Sequence, residues 1–176
     1  MRTYLDCIPC FMQQALRAGR IATKEESLQK KILDETGKLF ESIDMKATPA
    51  EYGAEVYRII SEITGVKDPY KKIKEKSIRE ASSFVSALKE HIKNSKDPLL
   101  TAVKVAIAGN VIDFGVNMKF DLEKDLEIIL DQEFAVDDFD KFKRTLEKAE
   151  TVLYMGDNAG ETVFDKLLIE QINKKI

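Results

Sequence analysis

The chain has 176 residues, enough for one ordinary domain or one and a half small ones. Hydrophobic residues are 44% and charged residues 34%, which fits a soluble globular protein and excludes a disordered one. The 28 Lys and Arg and 31 Asp and Glu give a net charge of −3, with both signs interspersed. That pattern offers no basic stripe for nucleic acid, and no apolar run is long enough for a bilayer.

The N-terminus reads "MRTYLDCIPCFMQQALRAGR", where Asp6, Gln13 and Gln14 interrupt the apolar core a signal peptide needs. The expected location is therefore the cytoplasm, where thiols stay reduced, and two cysteines cannot build a disulfide framework. Pro9 suits a first helical turn, and Phe11, Met12, Ala15 and Leu16 form an apolar stripe ending near Gly19. Thr23 and Glu26 have capping-box spacing ahead of Leu28, Ile32, Leu33, Leu39 and Phe40. Thr48-Pro49-Ala50-Glu51 repeats that signal before Val56, Ile59, Ile60 and Ile63. Asp68-Pro69 opens a further helix in which Ile73, Ala81, Phe84, Val85, Leu88 and Ile92 share a face. Residues 1–96 thus read as a helical N-terminal region.

Asp97-Pro98 opens "PLLTAVKVAIAGNVIDFG", in which Thr101 and Lys104 are the only polar residues before Asn110. The pattern predicts a helix buried nearly all round. Amphipathic segments follow over roughly 121–132 and 138–149, the second lined by Phe139, Phe142, Leu146 and Ala149. Then the period changes. "TVLYM", 151–155, predicts a buried strand of the parallel type, and Val163, Phe164, Leu167, Leu168 and Ile172 predict a closing helix. Strand, tight turn and helix make the first half of a βαβ unit. The fold class is mainly α with the start of an α/β unit, residues 97–176 supplying a buried helix and a first βα unit. A lone parallel strand has no ladder partner, so the remaining strands are expected in a further, C-terminal part, on the same or another chain.

Three constellations carry chemistry. In "YMGDNAGE", Asp157 and Asn158 follow the predicted strand, where open α/β sheets bind ligands. Their oxygens suit Mg²⁺ or Mn²⁺, Gly156 and Gly160 allow close backbone approach, and the following helix aims its N–H groups at the same place. The same residues are also ordinary turn chemistry, with Asp157 as a helix cap. In "GNVIDFG", Asn110 and Asp113 are strongly polar groups in an apolar segment; they either reach the Asp157 site or end one helix and cap the next loop. In "CIPC", Cys7 and Cys10 have C-x-x-C spacing, which suits half of a zinc site, a redox pair or quiet thiols; His91 is the only histidine.

Together, "CIPC", "GNVIDFG" and "GDNAGE" resemble the DUF89 family, also described as damage-control phosphatases with ARMT1-like relatives. The resemblance runs from Cys7 to the end, in the microbial stand-alone branch with an N-terminal C-x-x-C. It implies a helical region packed on a Rossmann-like α/β/α domain, present here in part. It also implies a phosphatase of small phosphorylated metabolites, sugar phosphates or damaged cofactor intermediates among them, using Mg²⁺, Mn²⁺, Co²⁺ or Ni²⁺. By position, Asp157 and Asn158 match two metal ligands, and Asn110 and Asp113 match polar residues of the substrate pocket. Gly156, Ala159, Gly160 and Glu161 fall in the phosphate-binding stretch. The family's third metal ligand, an aspartate further along, has no counterpart here. Other readings are a non-catalytic helical binding module and a zinc or redox protein built on Cys7 and Cys10.

Overall fold

The computed structural model describes residues 1–111 and 130–174, so Asp113 and most of the segment expected over 121–132 lie outside the described residues. The described residues hold eight helices and no strand. They fall into two compact units, Met1–Lys72 and Ile73–Ile176.

In the first unit, α1 (Cys7–Ala22), α2 (Glu26–Glu41) and α3 (Pro49–Thr64) pack on one another. Their cluster is Phe11, Ala15, Ala18, Ile32, Phe40, Val56 and Ile60, with Phe11 stacked on Phe40 at 5.4 Å. Thr48 and Glu51 form the expected capping box on α3, with Pro49 in its first turn. The Thr23–Glu26 box does not form. Because α1 continues to Ala22, Thr23 becomes its C-cap, donating its N–H to the Gly19 carbonyl. Its hydroxyl then accepts from the Glu25 N–H at 3.2 Å, a turn rather than a helix cap.

In the second unit the helix expected after Asp68 is two helices, α4 (Lys71–Ser83) and α5 (Val85–Asn94). The break follows Ser83, whose hydroxyl donates to the Glu80 carbonyl at 2.6 Å, a local bond that competes with the helical ladder. Helix α6 (Pro98–Val111) starts at Asp97, whose Oδ1 accepts from the Leu99 and Leu100 N–H groups, each at 3.1 Å. Helix α7 (Phe139–Leu146) and helix α8 (Glu161–Ile172) complete the unit. The central contact is α6 against α8: Leu99, Ala102, Val105 and Ala106 meet Phe164, Leu167, Leu168 and Ile172 in one buried cluster. Each large side chain there contributes about 1.5–3 kcal/mol by leaving water. Helix α6 is not buried all round, since Ile107 and Asn110 face outward.

The buried strand expected at 151–155 is not formed among the described residues. Among the described residues this segment has no ladder partner, and Leu153 and Met155 are 88% and 85% exposed. The short apolar run is there, but a strand is defined by its neighbours, and among the described residues its backbone has none to pair with. Only Tyr154 turns inward, against the second unit's cluster.

Candidate functional site

Two helix ends build the site. Gly109, in the last turn of α6, sits so close to α8 that an added Cβ would lie 3.0 Å from Phe164 Cβ and 3.1 Å from its Cδ2. That approach brings the next residue, Asn110, to the first turn of α8, beside Glu161, whose carboxyl its side chain helps to hold ionised. Glu161 Oε2 also accepts from the Asn158 backbone N–H at 3.3 Å and from Asn158 Nδ2 at 3.1 Å. Asn158 Nδ2 approaches Asp157 Oδ2 at 3.4 Å as well.

Asn158 therefore spends its amide nitrogen on two carboxylates, and its side-chain oxygen takes no part in those contacts. Asp157 and Asn158 are both exposed. Among the described residues, no α8 amide N–H donates to Asp157, and Gly160, the N-cap, provides no side chain to accept one. The helix-cap reading of Asp157 is not realised. The Asn158 main-chain carbonyl instead accepts the Thr162 N–H at 3.0 Å, starting the helix from the backbone.

Partial burial pushes the Glu161 carboxyl up, but the bonds from the Asn110 side chain and from Asn158 outweigh it and hold the group below its ordinary value. Its negative charge in the first turn also complements the α8 dipole.

The donor chemistry fits a hard divalent cation in part. One carboxylate and one amide carbonyl are oxygen ligands of the kind Mg²⁺ accepts, and Mg²⁺ is commonly held by one or two carboxylates completed by water and phosphate. Among the described residues no three His, Cys, Asp or Glu groups gather as a protein-only metal cage.

Two residues escaped the sequence reading. Asp165 is 4% exposed on α8, and its Oδ1 accepts the Tyr154 hydroxyl at 2.6 Å. Its buried Oδ2 has no hydrogen-bond partner among the described residues. Burial pushes the Asp165 carboxyl up, against the Tyr154 hydrogen bond that lowers it, with Glu161 adding repulsion. Burial and the same carboxylate drive the Tyr154 hydroxyl far above the usual phenol range. A signal was present: Asp165 interrupts the apolar run Val163, Phe164, Leu167 and Leu168 on the face that packs.

Cys7 and Cys10 lie in the other unit, in the first turn of α1, both free, Cys7 half-buried and Cys10 exposed. His91 is exposed in the last turn of α5, as a surface residue near a helix C-terminus.

The sequence profile of the family described as the damage-control phosphatase ARMT1-like domain matches residues 3–176. The chain belongs to that family. Curated relatives within the same range include a damage-control phosphatase of Pyrococcus horikoshii, 31% identical over 99% of this chain and 60% of its own length. A damage-control phosphatase of Archaeoglobus fulgidus is 29% identical over 96% and 60%, and an uncharacterised protein of Methanocaldococcus jannaschii is 33% identical over 96% and 58%. The crystal structure of a DUF89 family protein from P. horikoshii superposes with a TM-score of 0.87 at 31% identity, covering 99% of this chain and 61% of that one. This ARMT1-like chain thus spans about three-fifths of the length of the relatives it matches. No helix among its described residues is long and apolar enough to cross a membrane.

Proposed function

We propose that this protein is a divalent-metal-dependent phosphohydrolase of small phosphorylated metabolites, sugar phosphates or damaged phospho-metabolites, centred on Asp157 and Asn158. The supporting observation is the tie of Asn110, Glu161 and Asn158 around an exposed Asp157 at a helix N-terminus, in a chain of the damage-control phosphatase family. Asp157 and Asn158 supply oxygens to the cation, which when bound would offset charge on the phosphoryl group. Glu161 and Asn110 hold the Asn158 amide so that its carbonyl oxygen faces the site. The backbone N–H groups of Ala159, Gly160 and Glu161, beside Gly156, receive phosphate oxygens at the positive end of α8. Asp113, three residues past Asn110, joins it in positioning the substrate.

Residues 97 onward form, in this reading, the first portion of a Rossmann-like α/β/α domain after the helical region 1–96. Residues 151–155 are a strand of its sheet in this reading, with Leu153 and Met155 at exposed positions. The free Cys7 and Cys10 thiols suit a reducing compartment, the cytoplasm.

The test is phosphate release from a generic phosphoester with Mn²⁺, Mg²⁺, Co²⁺ or Ni²⁺ supplied in turn. Turnover is expected to require the metal and to fall on the order of a hundredfold or more in Asp157→Ala. Undiminished turnover in that variant removes Asp157 from the site.

A further inference from the structure

We infer that Tyr154, Asp165 and Gly156 form a latch that seats the 151–157 segment on α8, and that Tyr154 and Asp165 are thereby positioning residues for Asp157 and Asn158. The inference rests on the metal-site reading above for its consequence, but the latch itself is a matter of packing and hydrogen bonds.

Asp165 is a carboxylate nine-tenths and more buried beside Phe164, Leu167 and Leu168, where packing alone favours a leucine. Its Oδ1 takes the Tyr154 hydroxyl at 2.6 Å, the short range of a hydrogen bond to an ionised acceptor. This is the bond that turns Tyr154 inward while Leu153 and Met155 point to solvent. Two residues on, a Cβ added to Gly156 would meet Thr162 Cγ2 at 2.9 Å and Asp165 Oδ2 at 3.6 Å. The orphan oxygen of Asp165 therefore lies against the backbone that immediately precedes Asp157.

On the far side, the Asn158 main-chain carbonyl is held by the Thr162 N–H at 3.0 Å. Asp157 is thus bracketed by fixed neighbours. Consecutive Cα atoms are only about 3.8 Å apart, so close packing at residue 156 and a hydrogen bond at residue 158 leave residue 157 little freedom. A segment without ladder hydrogen bonds needs such tethers to aim a metal ligand, and the latch supplies them from a side chain.

The experiment is Mn²⁺ titration of the intact protein, paired with backbone ¹⁵N order parameters for residues 155–158. Tyr154→Phe removes only the hydroxyl, Asp165→Leu removes the acceptor, and Asp165→Asn keeps it. The expected result is Mn²⁺ affinity about tenfold weaker in Tyr154→Phe and in Asp165→Leu, no further loss in the double variant, and near-normal affinity in Asp165→Asn. The order parameters should fall from about 0.85 towards 0.6 in the two weakened variants. Unchanged order parameters in Tyr154→Phe overturn the latch whatever the metal does, and that mild change serves alone where Asp165→Leu does not fold. Unchanged Mn²⁺ binding in Asp157→Ala counts against the metal site and leaves the latch to be judged on the order parameters.

Discussion

Gly109 lies so close to Phe164 that a Cβ built on it would meet Phe164 Cβ at 3.0 Å, and this close approach of α6 to α8 sets Asn110 beside Glu161. Packing and site are one arrangement here: the helix–helix contact that closes the second unit's core also assembles the polar cluster around Asn158.

A methyl group at this point must push the helices apart, because Phe164 is 1% exposed and has no room to retreat. Gly109→Ala is expected to destabilise the fold by about 1–3 kcal/mol despite alanine's better helix propensity. Urea unfolding measures it. If the variant proves more stable than the parent, the close approach is not real.

Asp97 tests the other end of α6. Backbone N–H donation from Leu100 leads the groups that hold its carboxyl below the ordinary range, aided by Lys143 Nζ at 3.0 Å and opposed by partial burial. Asp97→Ala should cost about 0.5–2 kcal/mol, the usual loss for a helix cap. Asp97→Asn should recover most of it, since an amide oxygen still accepts from the two N–H groups. A thermal melt of both variants gives the comparison, and equal losses would assign the effect to charge instead.

Helix starts were legible where a short signal fixes local chemistry, as at Thr48 to Glu51 and at Asp97-Pro98. The signal failed at Thr23, whose role as C-cap of α1 depends on how far the preceding helix runs. It failed again at Ser83, where a hydroxyl bond splits a continuous apolar face. Asp157, Asn158 and Glu161 could be named because the residues are adjacent in sequence. The Asn110–Glu161 bond was a distant pairing that spacing could suggest but not decide. The apolar run at 151–155 suggested a strand, yet pairing is a property of a strand's neighbours and cannot be read from five residues.

Leu153 and Met155 give a prediction about behaviour in solution. Adjacent exposed apolar side chains on a segment with unpaired backbone are a template for association. The 176-residue chain should self-associate as its concentration rises, and Leu153→Asp should reduce this, as seen by light scattering. If the aspartate variant scatters as much as the parent, the segment is not the adhesive surface.

Glu161 supplies the pH test that bears most directly on the site. Its carboxyl is held below the ordinary value of 4.5 by hydrogen bonds from Asn110 and Asn158, in excess of the opposing effect of burial. A depressed folded-state pKa means the unfolded chain binds the proton more readily. The associated stability is therefore fully present above about pH 4.5 and is lost as pH falls from there through the folded value. Asn110→Ala removes one of the donors, so the Glu161 titration should move up towards 4.5 and the acid loss of stability should become shallower. Carboxyl ¹³C shifts of Glu161, followed by NMR in both proteins, measure this directly. An identical titration in parent and variant would show that Asn110 does not engage Glu161 and would detach α6 from the Asp157 cluster.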